Sequence, residues 1–148
     1  MALIRLAYAS EATFKALPLE KGVEPHVAQI LMTSRKNNPR KGLVGGLYYE
    51  DNRFFQYLEG EKQALYQLYD KIEGDDRHKN VKILIDEPLD ERSFVNWSMK
   101  HMLTTEDFVG FLREHNLDEF DPHAFDRSTC ESMIELIRES SHVDKPVS

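Results

Sequence analysis

Gly42-Leu-Val-Gly-Gly-Leu-Tyr-Tyr-Glu-Asp-Asn-Arg-Phe-Phe-Gln-Tyr-Leu58 is the stretch that decides the fold. Gly42 to Tyr49 and Arg53 to Leu58 are runs rich in aliphatic and aromatic residues, and Glu50-Asp51-Asn52 between them is a turn signal. The pattern predicts a β-hairpin. Upstream, Ile4, Leu6 and Tyr8 alternate as one face of a short strand. Residues Glu11 to Glu24 contain Pro18 and Gly22 and read as a loop with room for a turn of helix. A helix opens near Pro25, a residue favoured in the first turn, and continues through Val27, Ile30, Leu31 and Ser34 at helical spacing. Pro39 disfavours helical geometry at Asn38, so the helix is expected to stop there.

Downstream of the hairpin, Leu65, Leu68, Tyr69 and Ile72 define a helix over Glu61–Glu73, with Gly74 as its stop signal. Val81, Ile83 and Ile85 alternate as a fourth strand. Beyond Pro88, Phe94 to Met102 is expected to form a fifth, with Trp97 and Met99 on one face. The order β-α-β-β-α-β with an added strand is α+β and ferredoxin-like, with two helices covering one face of an antiparallel sheet. Thr104-x-x-Asp107 resembles a capping box and marks a further helix. A last helix is expected from Pro122 to about Glu139, with Phe125, Ser132, Met133 and Leu136 near one face. Ser140 to Ser148 read as frayed. The expected division is a sheet domain over 1–103 and a helical extension over 104–148.

Composition narrows the classes of function. The chain has 148 residues, is 41% hydrophobic and 30% charged, and carries a formal net charge of −7. That suits one globular domain with a genuine core. The longest apolar run, Leu43 to Tyr49, is far too short to span a bilayer, and no export signal opens the chain. A cytoplasmic protein without membrane contact is expected. A single cysteine, Cys130, excludes an internal disulfide. The acidic balance argues against direct nucleic-acid binding, and Arg35, Lys36, Arg40 and Lys41 read more simply as a solvated helix end. No zinc spacing, P-loop, dinucleotide fingerprint or nucleophile elbow occurs. Asp75, Asp76 and His78 are acid–base residues on paper but read first as a solvated loop.

The informative feature is polarity on faces that should be buried. Asn37 and Asn38 extend the apolar stripe of the first helix with two amides. Gln56 shares a strand face with Phe54 and Leu58, and Tyr8 ends the face of Ile4 and Leu6. A buried amide without a partner costs about 1–3 kcal/mol, so each needs a hydrogen-bonding group, from protein or ligand. Taken singly, Tyr8 suits a core tyrosine, Asn38 a helix cap and Gln56 an exposed strand face. Taken together, they suit a flat heterocycle held between the two helices.

Five blocks in this order resemble the BLUF domain of flavin-based blue-light sensors. They are Tyr8 with Ser10, Ser34-Arg-Lys-Asn37-Asn38 running to Gly42-Leu-Val-Gly45, Phe54-Phe-Gln56-Tyr-Leu58-Glu-Gly60, Asp76-Arg77-His78, and Phe94-x-x-Trp97-Ser-Met99. The resemblance covers roughly the first 100 residues. It implies a noncovalently bound flavin, FAD in the first place with FMN or riboflavin also compatible. It implies that Tyr8 is the light-driven electron and proton donor, that Gln56 links Tyr8 to the flavin, and that Trp97 and Met99 lie on the strand that responds to light. Asn38 matches the residue on the ring's carbonyl edge, with Asn37 beside it. Ser34 lies in the same block. Ile30, Leu47 and Ile72 match apolar walls, and Asp75, Arg77 and His78 match the ring edge and the ribityl or phosphate end. The chain is then expected to be a sensor and not an enzyme, acting through an unnamed protein partner and self-associating as a homo-oligomer. A flavin oxidoreductase, or an interaction module that has lost its flavin, are the alternatives. Two departures from the family pattern stand out: a longer connection after Tyr8, and Gly46 where a larger apolar residue is usual. Gly46 implies either close backbone approach or a looser sheet.

Overall fold

β2 (Val44–Glu50) and β3 (Arg53–Glu61) pair in antiparallel register from Val44↔Glu59 to Glu50↔Arg53, joined by only Asp51 and Asn52. Both loop residues are left-handed, with φ of 55° and 64°. Asp and Asn tolerate that conformation, and a loop of this kind matches the twist of the strands it joins. The computed structural model describes residues 2–15, 17–18, 24–94, 97–103, 106–140 and 143–144.

Around the hairpin the sheet is built in the order β4-β1-β3-β2-β5-β6. β1 (Leu3–Ala12) and β4 (His78–Pro88) are antiparallel additions, and β5 (Lys100–Met102) pairs parallel to β2. α1 (Pro25–Lys41) and α2 (Lys62–Glu73) cover one face. The core on that side includes Ile4, Leu6, Tyr8, Leu31, Phe54, Leu58, Leu65 and Ile72. The expected α+β, ferredoxin-like arrangement is therefore present.

The other face is covered by α3 (Glu106–Glu114), a 3-10 turn (Pro122–Ala124) and α4 (Arg127–Glu139). Their core is dense in rings: Tyr48, Phe55, Tyr57, Phe94, Phe108, Phe111, Phe120 and Phe125. Gly46 explains how α4 sits so low. A Cβ there would stand 2.5 Å from Ile137 Cγ2 and 3.2 Å from Phe94 Cε2. Close approach, and not a looser sheet, is the reason for this glycine.

Several expectations are corrected. β1 runs to Ala12, past the end expected at Tyr8. α1 continues through Pro39 to Lys41, so Asn38 is inside the helix. Gly42, at φ 68°, and Leu43 both donate to the Asn38 carbonyl, which ends the helix in a left-handed cap. Val81, Ile83 and Ile85 do not share a face, because the β1–β4 register shifts between Ala7 and Tyr8. Ile85 consequently belongs to the core beneath α4, while Ile83 is exposed. Of the strand expected over Phe94 to Met102, Phe94 and Trp97 to Met99 are not strand, Val95 and Asn96 lie outside the described residues, and Lys100–Met102 pairs with β2.

The final helix is interrupted at Phe125, and Asp126 caps α4 by accepting from Thr129 N–H at 2.8 Å. Its buried face is Cys130, Met133, Ile134 and Ile137, with Ser132 and Leu136 only partly covered. Within the segment expected to be frayed, Val143–Asp144 forms β6, antiparallel to β5. The cap expected at Thr104 lies outside the described residues, as does much of the Glu11–Glu24 loop. No helix among the described residues is long and apolar enough to cross a membrane.

Candidate functional site

Strand register makes the floor of the site. Tyr8 on β1 is the partner of Gln56 on β3, and Gln56 is in turn the partner of Leu47 on β2. All three side chains lie on the α1–α2 side, since Tyr8 and Leu47 belong to its core and Gln56 alternates with Phe54 and Leu58. Above this row is a cleft of about 160 Å³. α1 contributes Ile30, Thr33, Ser34, Asn37, Asn38 and Lys41; α2 contributes Leu68, Lys71 and Ile72; the turn after α2 contributes Asp75, Arg77 and His78.

Tyr8 is fully buried, and among the described residues its hydroxyl has no hydrogen-bond partner. Its ring meets Tyr69 edge-on at 5.8 Å. Burial holds the phenol pKa well above its ordinary value, with Tyr69 and Asp75 adding to the effect. Gln56 is also buried and donates from Nε2 to Met99 Sδ at 3.7 Å, a weak bond to a soft acceptor. Two polar groups on one buried floor are thus unmatched or barely matched. Native interiors seldom leave such groups without a partner.

The surroundings are better satisfied. Asn38 Nδ2 donates to the Ser98 carbonyl at 2.7 Å, and Arg35 Nε to the Met99 carbonyl at 3.2 Å. Gly45 N–H donates to the Trp97 carbonyl at 3.0 Å. Helix α1 and strand β2 therefore hold the segment 97–99 along its backbone. Upstream, the fully buried Glu59 carboxylate accepts from the N–H groups of Ser93 and Phe94 and from the hydroxyls of Ser93 and Tyr57. At the other end of the cleft Arg77 pairs with Asp75 at 2.6 Å, which holds the Asp75 carboxyl below its ordinary pKa. His78 Nδ1 lies 2.9 Å from Ser10 Oγ, and burial lowers the imidazole pKa against the raising effect of Asp75.

The structure thus brings Tyr8, Ile30, Ser34, Asn37, Asn38, Gln56, Ile72, Asp75, Arg77 and His78 around one cleft. Leu47 is buried beside Gln56 in the register but is not among the lining residues, and Met99 reaches the site only through Gln56. Trp97 and Met99 do not share a face. The Trp97 ring lies 5.1 Å from Lys100 Nζ, and that amine donates to the Arg138 carbonyl on α4 at 2.6 Å. Thr33, Lys41, Leu68 and Lys71 were missed as site residues. Leu68 is visible in the helical stripe of α2, but Lys41 and Lys71 converge only through the packing of α1 against α2. Among the described residues no group of three or more His, Cys, Asp or Glu could hold a metal ion.

A ferredoxin-like sheet with a tyrosine–glutamine floor, roofed by two helices that present paired asparagines and an Asp-x-Arg-His turn, defines a class of flavin-dependent light sensor. Residues 3–100 match the family described as BLUF, sensors of blue light using FAD, and the chain belongs to that family. The photoactivated adenylate cyclase subunit beta of Euglena longa is 33% identical over 98 residues, 66% of this chain and 11% of that protein. The subunit alpha of Euglena gracilis is 36% identical over 92 residues, 62% of this chain and 8% of that protein. The chain thus spans about a tenth of the length of these curated relatives. Among solved structures, the ground state of BlsA superposes with a TM-score of 0.86 at 31% identity, covering 96% of this chain and 91% of that one. The dark state of BlrB, a BLUF protein, superposes with a TM-score of 0.71 at 26% identity, covering 93% and 96%.

Proposed function

We propose that this chain senses blue light with a noncovalent flavin, FAD first, held between α1 and α2, and signals to a protein partner without catalysis of its own. The observation that carries the reading is the buried Tyr8 hydroxyl, without a partner among the described residues, beside Gln56, whose amide donates there to a thioether alone. A planar ring bearing carbonyls and ring nitrogens supplies what this floor lacks. The one cysteine supports noncovalent binding: Cys130 lies in the core beneath α4, on the opposite face of the sheet, with its thiol pKa pushed up to about 11.

Bound there, the flavin supplies blue-light absorption and a short-lived demand for an electron. Tyr8 meets that demand as a neutral phenol, because burial opposes a phenolate. Its oxidation by a bound flavin would therefore hand over a proton as well as an electron, both to the flavin. Gln56 carries one donor group and one acceptor on a plane, so turning its amide exchanges what it offers to Tyr8 and to Met99. Met99 precedes Lys100, whose amine is tied to the end of α4. A change at Gln56 thus has a short covalent and hydrogen-bonded route to the helices on the far face, where a partner or a second copy would respond.

The test is spectroscopic. Protein prepared with added flavin should be yellow, and blue light should shift its absorption slightly to the red, reversing in darkness with no substrate added. Colourless protein, or yellow protein whose spectrum light leaves unchanged, overturns the reading.

A further inference from the structure

On the face of the sheet away from the cleft, α3 and α4 leave an open groove of about 770 Å³ between them. Each wall is a row of residues four apart: Glu106, Gly110 and Glu114 on α3, and Glu131, Glu135 and Glu139 on α4. Buried Phe111 and half-buried Leu136 add apolar surface. A Cβ on Gly110 would meet nothing within 4 Å, so the α3 wall dips at its middle. With Asp107, the lining residues include six of the chain's 26 acids and none of its 19 lysines and arginines. Nearly all of the net charge of −7 therefore stands on this groove. Glu131 is paired with Arg5 at 2.7 Å, and Glu135 with Arg138. Among the described residues Glu106, Asp107, Glu114 and Glu139 form no ion pair. Glu114 and Glu139 end their helices, where the helix dipole disfavours an anion, so local stability does not account for them. The acids are strung along two helices, and no group of three among the described residues could hold a metal ion. What they suit is an extended row of cations.

The chain carries such a row itself. Met32, Lys36 and Arg40 follow at four-residue steps along α1, and all three are exposed, Met32 at 72%. Lys36 and Arg40 form no ion pair among the described residues. Four residues of helix advance about 6 Å, so the cations on α1 repeat at the spacing of the glutamates on α4. Rows of this kind are the ridges and grooves through which helices pack. The α1 row and the groove lie on opposite faces of the sheet, so they cannot meet within one chain. We propose that the α3–α4 groove binds the α1 ridge Met32–Lys36–Arg40 of a second copy of this chain. Lys36 and Arg40 stand between the two acidic walls, and the Met32 side chain lies along the apolar surface. The contact is head-to-tail, so each added copy presents a fresh ridge or a fresh groove. It goes beyond the flavin reading and does not depend on it.

Surface ion pairs are individually weak, so the full-length chain should be followed by light scattering and sedimentation over concentrations reaching about 1 mM. Its mean mass should rise with concentration past that of a dimer. Glu114→Gln with Glu139→Gln should stay monomeric, and so should Lys36→Gln with Arg40→Gln. An equimolar mixture of the two variants should regain association but stop at one copy of each, because only one intact ridge and one intact groove remain to meet. The first variant removes anions from helix C-termini and keeps its fold on that ground. Far-UV circular dichroism checks the second. An unmodified chain that stays monomeric overturns the proposal, as does association that survives in either variant or a mixture that stays monomeric. A monomeric chain that binds a lysine-rich amphipathic peptide, and loses it with Glu114→Gln and Glu139→Gln, also overturns it and gives the groove to a foreign basic helix. None of these results touches the flavin reading, which the absorption measurement decides.

Discussion

With its ring enclosed and its hydroxyl unmatched, Tyr8 destabilises the flavin-free protein, because a buried hydroxyl without a partner forfeits its hydration for nothing. Tyr8→Phe should therefore stabilise the flavin-free form by about 1 kcal/mol, read as a raised midpoint in urea. The same variant should bind flavin yet show no light-induced red shift. Gln56→Leu should likewise abolish the shift and free the Met99 sulfur. An ordinary photocycle in either variant removes that residue from its role. His78 gives a pH prediction. Its imidazole pKa is lowered in the folded state, so between that value and the ordinary one near 6.5 the unfolded chain binds more protons. Stability is full above about pH 6.5 and falls as the pH drops through this window. The groups facing the ring are Ser10, Asp75, Arg77 and the Phe54 ring at 4.7 Å. His78→Gln should flatten the thermal-stability profile between pH 7 and 5, whereas Asp75, paired with Arg77, adds its own loss only at lower pH. An unaltered slope in the variant would show that His78 is not the titrating group.

α4 is seated by two contacts of different kinds: the bare backbone of Gly46 beneath Ile137, and the Lys100 amine on the Arg138 carbonyl. Gly46→Val should force α4 away from β2 and cost about 1–3 kcal/mol in denaturant unfolding. Lys100→Met should instead leave the red shift intact and weaken any light-dependent association, measured by size exclusion in light and dark. A shift lost together with association would place Lys100 in the photochemistry instead. The element order was legible because hairpin, helical stripes and turn residues each carry local signals, and the paired amides marked the cleft before any contact was known. What stayed illegible depends on long-range partners. The β1–β4 register shift that splits Ile83 from Ile85 exists only once the two strands are paired. The non-strand segment around Trp97 is held by Asn38, Arg35 and Gly45, distant in sequence, and an alternating apolar pattern cannot reveal that. The same holds for Lys41 and Lys71, which are ordinary surface residues until α1 and α2 are placed together.

At the scale of the molecule the sheet is covered on both faces, and the residues after 105 supply most of the second cover. Removing Glu106 to Ser148 would expose Tyr48, Phe55, Tyr57 and Phe94, which that cover buries. An apolar patch of that kind favours aggregation. The truncated chain should therefore lose solubility or bind a hydrophobic dye strongly, so its photochemistry cannot be read in isolation. A soluble, monomeric truncated protein would show that the two regions fold separately, as the division at residue 103 expects. β3 is shared by both faces, and its residue parity divides the labour: Phe54, Gln56 and Leu58 lie on the α1–α2 side, while Phe55 and Tyr57 face the rings of Phe125 and Phe94. For an engineer this separates the cleft from the face where the proposed output would lie. A library confined to the exposed α4 positions Ser128, Glu131, Glu135 and Glu139 can be selected for a new binding specificity, while the buried odd positions of β3 hold the cover in place and the even positions stay out of the search.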